Sequence, residues 1–434
     1  MSIWLWIIAA WIISYAVLDK EDVQYQHLLW MLLPVDMYGF SFFGFTVKPY
    51  MILCFAMLLK RVIDGRKNMA VTSPWIIRGL FACLACIIVN AINCPEPKSV
   101  FATFMMLVVW GCSMIYMSEC DSDSRQSICK VLQATGIGYG IVFVAAYLIM
   151  QFAPDVPGII AMEREDDGIF MRNPNVVDGV LTTVFRLRGF TIDPNTIVGT
   201  FLYCSMVSIL QLMHHKPGPR EIFGLVLSAA CVLLSGSRMG LICLILFVLI
   251  GIRVGSKINP KRAKNLLISF GFATVGIFVF MLLTDGLQSI TSTFSSNYAN
   301  RSGLNDDYGR LTIWQEAFHI WINESPFLGL GIGRMQYYTS IGRSCHNSWL
   351  EALCAWGALV GGVFVLHFLT PVASSIRHIY RRRSRQDIAF WTMFLGTVGV
   401  LISLITVDNL TFSYLWFGSA MIAAITTGSW KEDT

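Results

Sequence analysis

Residues 238–264, "RMGLICLILFVLIGIRVGSKINPKRAK", decide what kind of protein this is. The stretch opens on Arg238, runs uncharged to Ile252, and ends in a loop carrying five basic residues. An apolar helix of roughly 20 residues crosses the hydrocarbon core of a bilayer. Lys and Arg beside such a helix mark the cytoplasmic side. The stretch therefore predicts a membrane span over 238–253 and a cytoplasmic loop over 253–264. Comparable runs recur at 3–18, 48–63, 75–93, 99–117, 128–152, 195–213, 221–235, 264–283, 348–370, 388–407 and 410–428. Across all 434 residues, 55% are hydrophobic and 14% charged, with mean hydropathy +0.61. A soluble domain carries about 25% charged residues.

The net charge of +5 is not a nucleic-acid footprint. Its basic residues concentrate in "KRVIDGRK" (60–67), "HHKPGPRE" (214–221), 253–264 and "RHIYRRRSR" (377–385), short loops that orient the spans. Segments 94–98, 154–194, 284–346 and 408–409 then face the other side, and the C-terminus is cytoplasmic. The first run lacks a basic leader and a small-residue cleavage site, and reads as a retained helix. Segment 24–47 is apolar but broken by Pro34, Asp36 and Gly39. If it spans, the count is thirteen; if it is re-entrant or interfacial, the count is twelve, the preferred reading. The chain parses into N-terminal spans (1–127), central spans with loop 154–194 (128–283), a long loop (284–346) and C-terminal spans (347–434). No internal repeat of the transporter kind is visible.

The fold class expected is an all-α polytopic inner-membrane helix bundle of about 12 transmembrane helices, with a large periplasmic loop containing an amphipathic helix. That helix, 310–323, sets Leu311, Trp314, Phe318, Trp321 and Ile322 at helical spacing, suited to lying on the membrane or capping a cavity. The front of its loop, 291–309, is rich in Ser, Asn and Gly and reads as an irregular lid. Of 12 cysteines, ten lie in apolar runs or cytoplasmic loops; only Cys94 and Cys345 fall near the opposite face, and no pair has metal spacing. A disulfide scaffold and a zinc site are both disfavoured.

The conspicuous charges gather at extracytoplasmic helix ends: Arg186, Arg188, Arg238, Arg310, Arg343 and His346. An arginine opening a span on the non-cytoplasmic side runs against the positive-inside bias. Burying it in lipid costs about 2.5–3.5 kcal/mol. Arg238 therefore either snorkels to the interface or binds a phosphate or pyrophosphate through its planar fork. In "RLRGFTIDPN" (186–195), two arginines lie beside the start of a span that Asp193 and Asn195 can cap. In "SCHNSWLEALCAWG" (344–357), Asn347 is a helix cap, Glu351 can orient a neighbouring group, and His346 can act as a general base near neutral pH. Plain capping also accounts for the His346–Asn347 pair. His319 reads as an exposed or packing residue.

These motifs resemble the O-antigen ligase and O-antigen polymerase superfamily of bacterial membrane glycosyltransferases. The resemblance rests on 186–195, "SGSRMGL" (235–241), 309–334 and "CHNSWLEALCAWGALVGG" (345–362), with a histidine, ten residues and a glycine at His346 and Gly357. It covers about residues 130–430. It implies metal-independent, inverting transfer from an undecaprenyl-pyrophosphate-linked glycan at the periplasmic face, with no cofactor. Carried over, Arg188 and Arg238 hold the pyrophosphate, Arg310 is a further anion or sugar contact, and His346 activates the acceptor hydroxyl. Arg186, Arg343, Asn347 and Glu351 complete the expected substrate contacts. The ligase branch has a leucine four residues beyond its arginine, where Ile242 stands, and a further histidine where Ser344 or Cys345 stands. Both departures favour the polymerase. Membrane lipid, a chain-length regulator and a flippase are the expected partners, and nucleic acid is not. The rival class is a transporter without enzymatic activity, whose arginines would line a passage joining both faces.

Overall fold

The computed structural model describes residues 3–42, 45–65, 73–94, 96–121, 123–152, 168–177, 180–214, 218–257, 259–268, 310–340, 342, 344–380 and 387–427. In chain order the main helices are α1 (Ile3–Val17), α2 (Pro49–Ile63), α3 (Pro74–Asn93), α4 (Pro97–Ser118), α5 (Ser124–Phe152), α6 (Pro194–His214), α7 (Pro219–Leu234), α8 (Arg238–Gly255), α9 (Arg310–Glu324), α10 (Ser348–Trp356), α11 (Gly362–Tyr380), α12 (Ile388–Ser403) and α13 (Ser413–Thr427). Five begin on proline: α2, α3, α4, α6 and α7. The first helical position needs no N–H partner and favours proline's fixed φ. Lys60 and Arg61 end α2, Arg253 ends α8, and Arg377 and His378 lie in the last turn of α11, where the helix dipole favours cations.

Among the described residues, seven helices are long and apolar enough to cross a membrane: Pro74–Asn93, Pro97–Ser118, Ser124–Met150, Pro194–His214, Arg238–Gly255, Ser348–Tyr380 and Ile388–Thr406. Ile3–Val17 and Ser413–Thr426 are shorter apolar helices. Helices of 15 and 16 residues, α2 and α7, stand at two more of the expected spans. The expected span 264–283 is described only to residue 268, and the lid 291–309 lies outside the described residues. The protein is a helical, multi-pass membrane protein.

Two antiparallel hairpins add to the expected all-α bundle. Phe40–Phe42 (β1) pairs with Phe45–Val47 (β2), and Phe170–Val177 (β3) pairs with Val180–Leu187 (β4). The first hairpin settles segment 24–47, whose helical pieces Tyr25–Leu28 and Leu29–Leu32 have four residues each, too few to cross. Asp36 ends up in a buried ion pair with Lys48 at 2.8 Å.

The chain forms two compact units: residues 1–21, 129–303 and 385–395 make one, and residues 22–128, 304–384 and 396–434 the other. In the first, α6 is the core helix, 94% of its apolar window being buried. It packs against α7 and α8. Gly138 of α5 meets α1 so closely that an added Cβ would lie 2.1 Å from Ser14 Oγ. Small residues allow such approach between membrane helices. The second unit has an aromatic core in which Trp30, Tyr116, Phe364, Phe368, Trp416 and Phe417 are buried.

Within that unit α9 packs on α10 through Ile313 and Ala317, with Ile320 and Trp321 beside them. Leu311, Phe318 and Ile322 are exposed, where a face lying on the membrane would stand.

Candidate active site

The first unit gathers the arginines of "RLRGFTIDPN". Arg186 lies at the end of β4, buried, and its Nε donates to the Ser235 carbonyl at 2.8 Å. Its Nη2 reaches Asn195 Oδ1 at 3.4 Å. The tight turn Ser235–Ser237 therefore closes on Arg186, and Gly236, at φ +60°, would place a Cβ 3.1 Å from Arg186 Nε. Arg188 follows the strand. Its Nε donates to the Gly168 carbonyl at 2.7 Å, and its backbone N–H and that of Gly189 both donate to the Ile169 carbonyl. Arg188 is 4% exposed, and its Nη2 has no partner among the described residues. A buried, unpaired guanidinium nitrogen is costly and calls for an acceptor.

Arg238 opens α8 just past the turn that Arg186 binds, with Ser237 Oγ accepting the Gly240 N–H as the cap. Its side chain is exposed and makes no ion pair among the described residues. The expected capping is corrected in one respect. Pro194 is the first helical residue, which makes Asp193 the cap; its Oδ1 accepts the Asn195 N–H at 2.7 Å, and Asn195 turns toward Arg186.

The second unit holds the histidine. Asn347 caps α10, its Oδ1 accepting the N–H groups of Trp349 and Leu350, both at 3.1 Å. His346 precedes it in a left-handed conformation, φ +47°, unusual outside glycine. Its backbone N–H donates to Asp408 Oδ2 at 2.9 Å, and its Nδ1 lies 3.8 Å from the same oxygen. The imidazole is 47% exposed. One carboxylate oxygen thus accepts the backbone N–H of this residue and lies close to its ring.

A polar chain supports Asp408 from behind. Ser348 Oγ donates to the Val407 carbonyl at 2.5 Å and accepts the Asn409 N–H at 3.0 Å. Asn409 Nδ2 donates to Asp36 Oδ2 at 3.3 Å, and Asp36 is paired with Lys48. Sequence reasoning noticed Asp36 without its partner and passed over Asp408 entirely.

Glu351 is buried, with Oε1 accepting the Gly333 N–H and Oε2 the Cys345 S–H, both at 3.2 Å. It orients neighbours, as expected, and those neighbours are protein groups. Cys345, Glu351 and Asp408 bring potential ligand atoms within 4.8 Å of one another. Burial, with Glu351 and Asp408 nearby, pushes the Cys345 thiol well up. All twelve cysteines are free thiols.

The chain between α9 and α10 doubles back into a helix break. Leu330 and Gly331 donate their N–H groups to the carbonyls of Cys354 and Ala355, and Ala358 donates to Pro326. Gly357, at φ +69°, ends α10; a Cβ there would lie 2.1 Å from the Phe327 carbonyl oxygen. The histidine-to-glycine spacing noted in the sequence therefore joins a half-exposed imidazole to an obligatory glycine. Arg310 is the first residue of α9 and is exposed. Arg343 lies outside the described residues.

A polytopic helical protein with an arginine at one helix start that has no ion pair among the described residues, and a histidine beside a carboxylate at another, is the class these features define. Residues 223–366 match the family model described as O-antigen ligase, and over that stretch the chain is similar to the O-antigen ligase/polymerase superfamily. Arg238, Arg310, His346, Glu351 and Gly357 fall inside the matched stretch, whereas Arg186, Arg188, Asp36 and Asp408 fall outside it. No curated protein matches the chain.

Proposed function

We propose that this protein is a polysaccharide polymerase that joins undecaprenyl-pyrophosphate-linked repeat units into O-antigen or capsule. The observation that carries the reading is the His346–Asp408 pair, a half-exposed imidazole with a carboxylate 3.8 Å from one ring nitrogen. In this reading Nε2 removes the acceptor hydroxyl proton as that oxygen attacks the anomeric carbon. The new C–O bond forms opposite the leaving group and inverts the configuration. The bond from anomeric carbon to phosphate oxygen breaks, and its electron pair leaves on the pyrophosphate. Asp408 stabilises the imidazolium, and such base catalysis contributes about 10²–10⁴-fold.

Arg188 and Arg238 hold the departing pyrophosphate. The Nη2 of Arg188, which has no partner among the described residues, and the exposed guanidinium of Arg238 support that role. Arg310 and Arg343 contact sugar or phosphate, and Arg186, Asn347 and Glu351 keep the surrounding turns in shape. A leaving group this good needs no paired carboxylates, unlike glycoside hydrolysis. The basic loops orient this chemistry to the periplasmic side of the inner membrane, in company with a flippase and a chain-length regulator.

The ligase reading, transfer of finished glycan to lipid A–core, shares the donor chemistry and is favoured by the description of the matched family. Incubation of purified protein with lipid-linked repeat units and, separately, with lipid A–core acceptor separates the two. Longer lipid-linked glycans support the polymerase. Product found only on lipid A–core makes the protein a ligase.

A further inference from the structure

Between α9 and α10 the chain makes one further helical turn, Met335–Tyr338, in the loop that leads to His346. The turn is held from three directions. Met335 is buried in the cluster that also contains Ala317, Cys345 and Cys354. Just ahead of the turn, the Gly333 N–H donates to Glu351 Oε1 at 3.2 Å. Just behind it, the Ser340 N–H donates to Glu316 Oε1 at 2.6 Å. All of these residues belong to the second compact unit, so the turn is built onto α9 and onto the helix that His346 precedes. A binding group gains from such a fixed support.

The opposite face of the turn is open. Arg334 precedes it in helical conformation, φ −81° and ψ −21°. Arg334, Tyr337 and Tyr338 therefore stand at i, i+3 and i+4 on one face, while Met335 and Thr339 take the buried one. Tyr337 is 69% exposed and Tyr338 43%. Arg334 is partly buried: its Nε is shielded from water and has no hydrogen-bond partner among the described residues, and the guanidinium makes no ion pair there. A shielded guanidinium nitrogen calls for an acceptor. The rings beside it present electron-rich faces that attract C–H bonds. A small inorganic anion answers only the arginine, and a neutral sugar answers only the rings. A pyranose that carries a carboxylate answers both.

We propose that the outer face of this turn is a subsite for an acidic sugar, a uronate-type residue of the glycan. Arg334 pairs with the carboxylate through its planar fork, and a tyrosine ring stacks on the face of the sugar. This names the substrate class within the glycan-transfer reading above and rests on it. None of the three residues has a part in the chemistry already described, and each selects the glycan without touching the reacting atoms.

The test titrates purified full-length protein in detergent with disaccharides of glucuronate and of galacturonate, with their carboxyl-reduced neutral counterparts, and with inorganic pyrophosphate, binding being read by saturation-transfer NMR. At least one uronate should bind about tenfold more tightly than its reduced counterpart. Arg334→Gln should bring that uronate to the affinity of the neutral sugar. Loss of both rings, Tyr337→Ala with Tyr338→Ala, should weaken acidic and neutral sugars alike. Pyrophosphate affinity should stay at the wild-type value in both variants. Equal affinity for acidic and neutral sugars in the wild type would overturn the proposal, however the variants fold. So would a uronate preference that survives Arg334→Gln, sugar binding that is unchanged without the two rings, or pyrophosphate binding that is lost with Arg334. Binding needs no turnover, so a protein that fails to elongate lipid-linked glycan yet keeps the uronate preference would remove the polymerase reading alone.

Discussion

His346 and Asp408, 62 residues apart, are tied together twice: Asp408 Oδ2 accepts the His346 backbone N–H at 2.9 Å and lies 3.8 Å from Nδ1 of its ring. The backbone bond holds a left-handed residue that would otherwise relax. The ring contact places the same carboxylate oxygen nearest Nδ1.

Asp408→Asn keeps an oxygen for the N–H bond but removes the charge that balances an imidazolium. Turnover should fall about 10²-fold, with membrane abundance unchanged. Initial rates of glycan elongation at matched protein levels check this, and a wild-type rate would remove Asp408 from the mechanism.

Arg238 is exposed, so its substitution should leave stability within about 0.5 kcal/mol of wild type. Arg238→Lys retains charge but not the bidentate fork, and should lose about 10-fold or more in activity on the pyrophosphate donor. Full activity in the lysine variant would leave Arg238 as a snorkelling residue only.

Gly357→Ala forces a β-carbon against the Phe327 carbonyl at φ +69° and should destabilise the protein by about 1–3 kcal/mol. Gly111→Ala is the contrast: its added carbon meets nothing within 4 Å, and it lies inside α4. That change should be neutral or stabilising by about 0.5–1 kcal/mol. Thermal unfolding of the two variants side by side gives the comparison.

Breaking the buried Asp36–Lys48 pair from one side leaves a charge without a partner. Asp36→Ala should cost about 3–5 kcal/mol, whereas replacing both residues by apolar ones should recover much of it. A double-mutant cycle in melting temperature measures the coupling. Equal losses for Asp36→Ala and the double variant would show that the pair is not coupled.

Because burial pushes the Cys345 thiol up, it remains a neutral thiol through ordinary buffer conditions. A variant keeping Cys345 as its only cysteine should resist maleimide at pH 8 when folded and react once unfolded. Rapid labelling of the folded form would contradict the placement of this thiol.

The helices were largely written in local sequence. Pro49, Pro74, Pro97, Pro194 and Pro219 mark helix starts, and Lys60, Arg61 and Arg253 mark ends. Pro194 also carried the better capping answer, since proline at the first helical position makes Asp193 the cap. The β3–β4 hairpin was not read from the sequence, where 154–194 stood as an extracytoplasmic loop in an all-α bundle. Asp408 was not legible. Its partner is 62 residues away, and no periodicity links a two-residue connection to a histidine on another helix. The contact of α9 with α10 was not legible either, because it rests on Ile313 and the small side chain of Ala317 rather than on the aromatic spacing.

The central claim is that His346 is the base of a glycosyl transfer. Its most direct test is elongation of lipid-linked repeat units by purified wild-type protein and His346→Ala in the presence of a metal chelator. The account predicts a ladder of longer lipid-linked glycans from the wild type and none above background from the variant, at equal folded protein. A wild-type ladder from His346→Ala would contradict it.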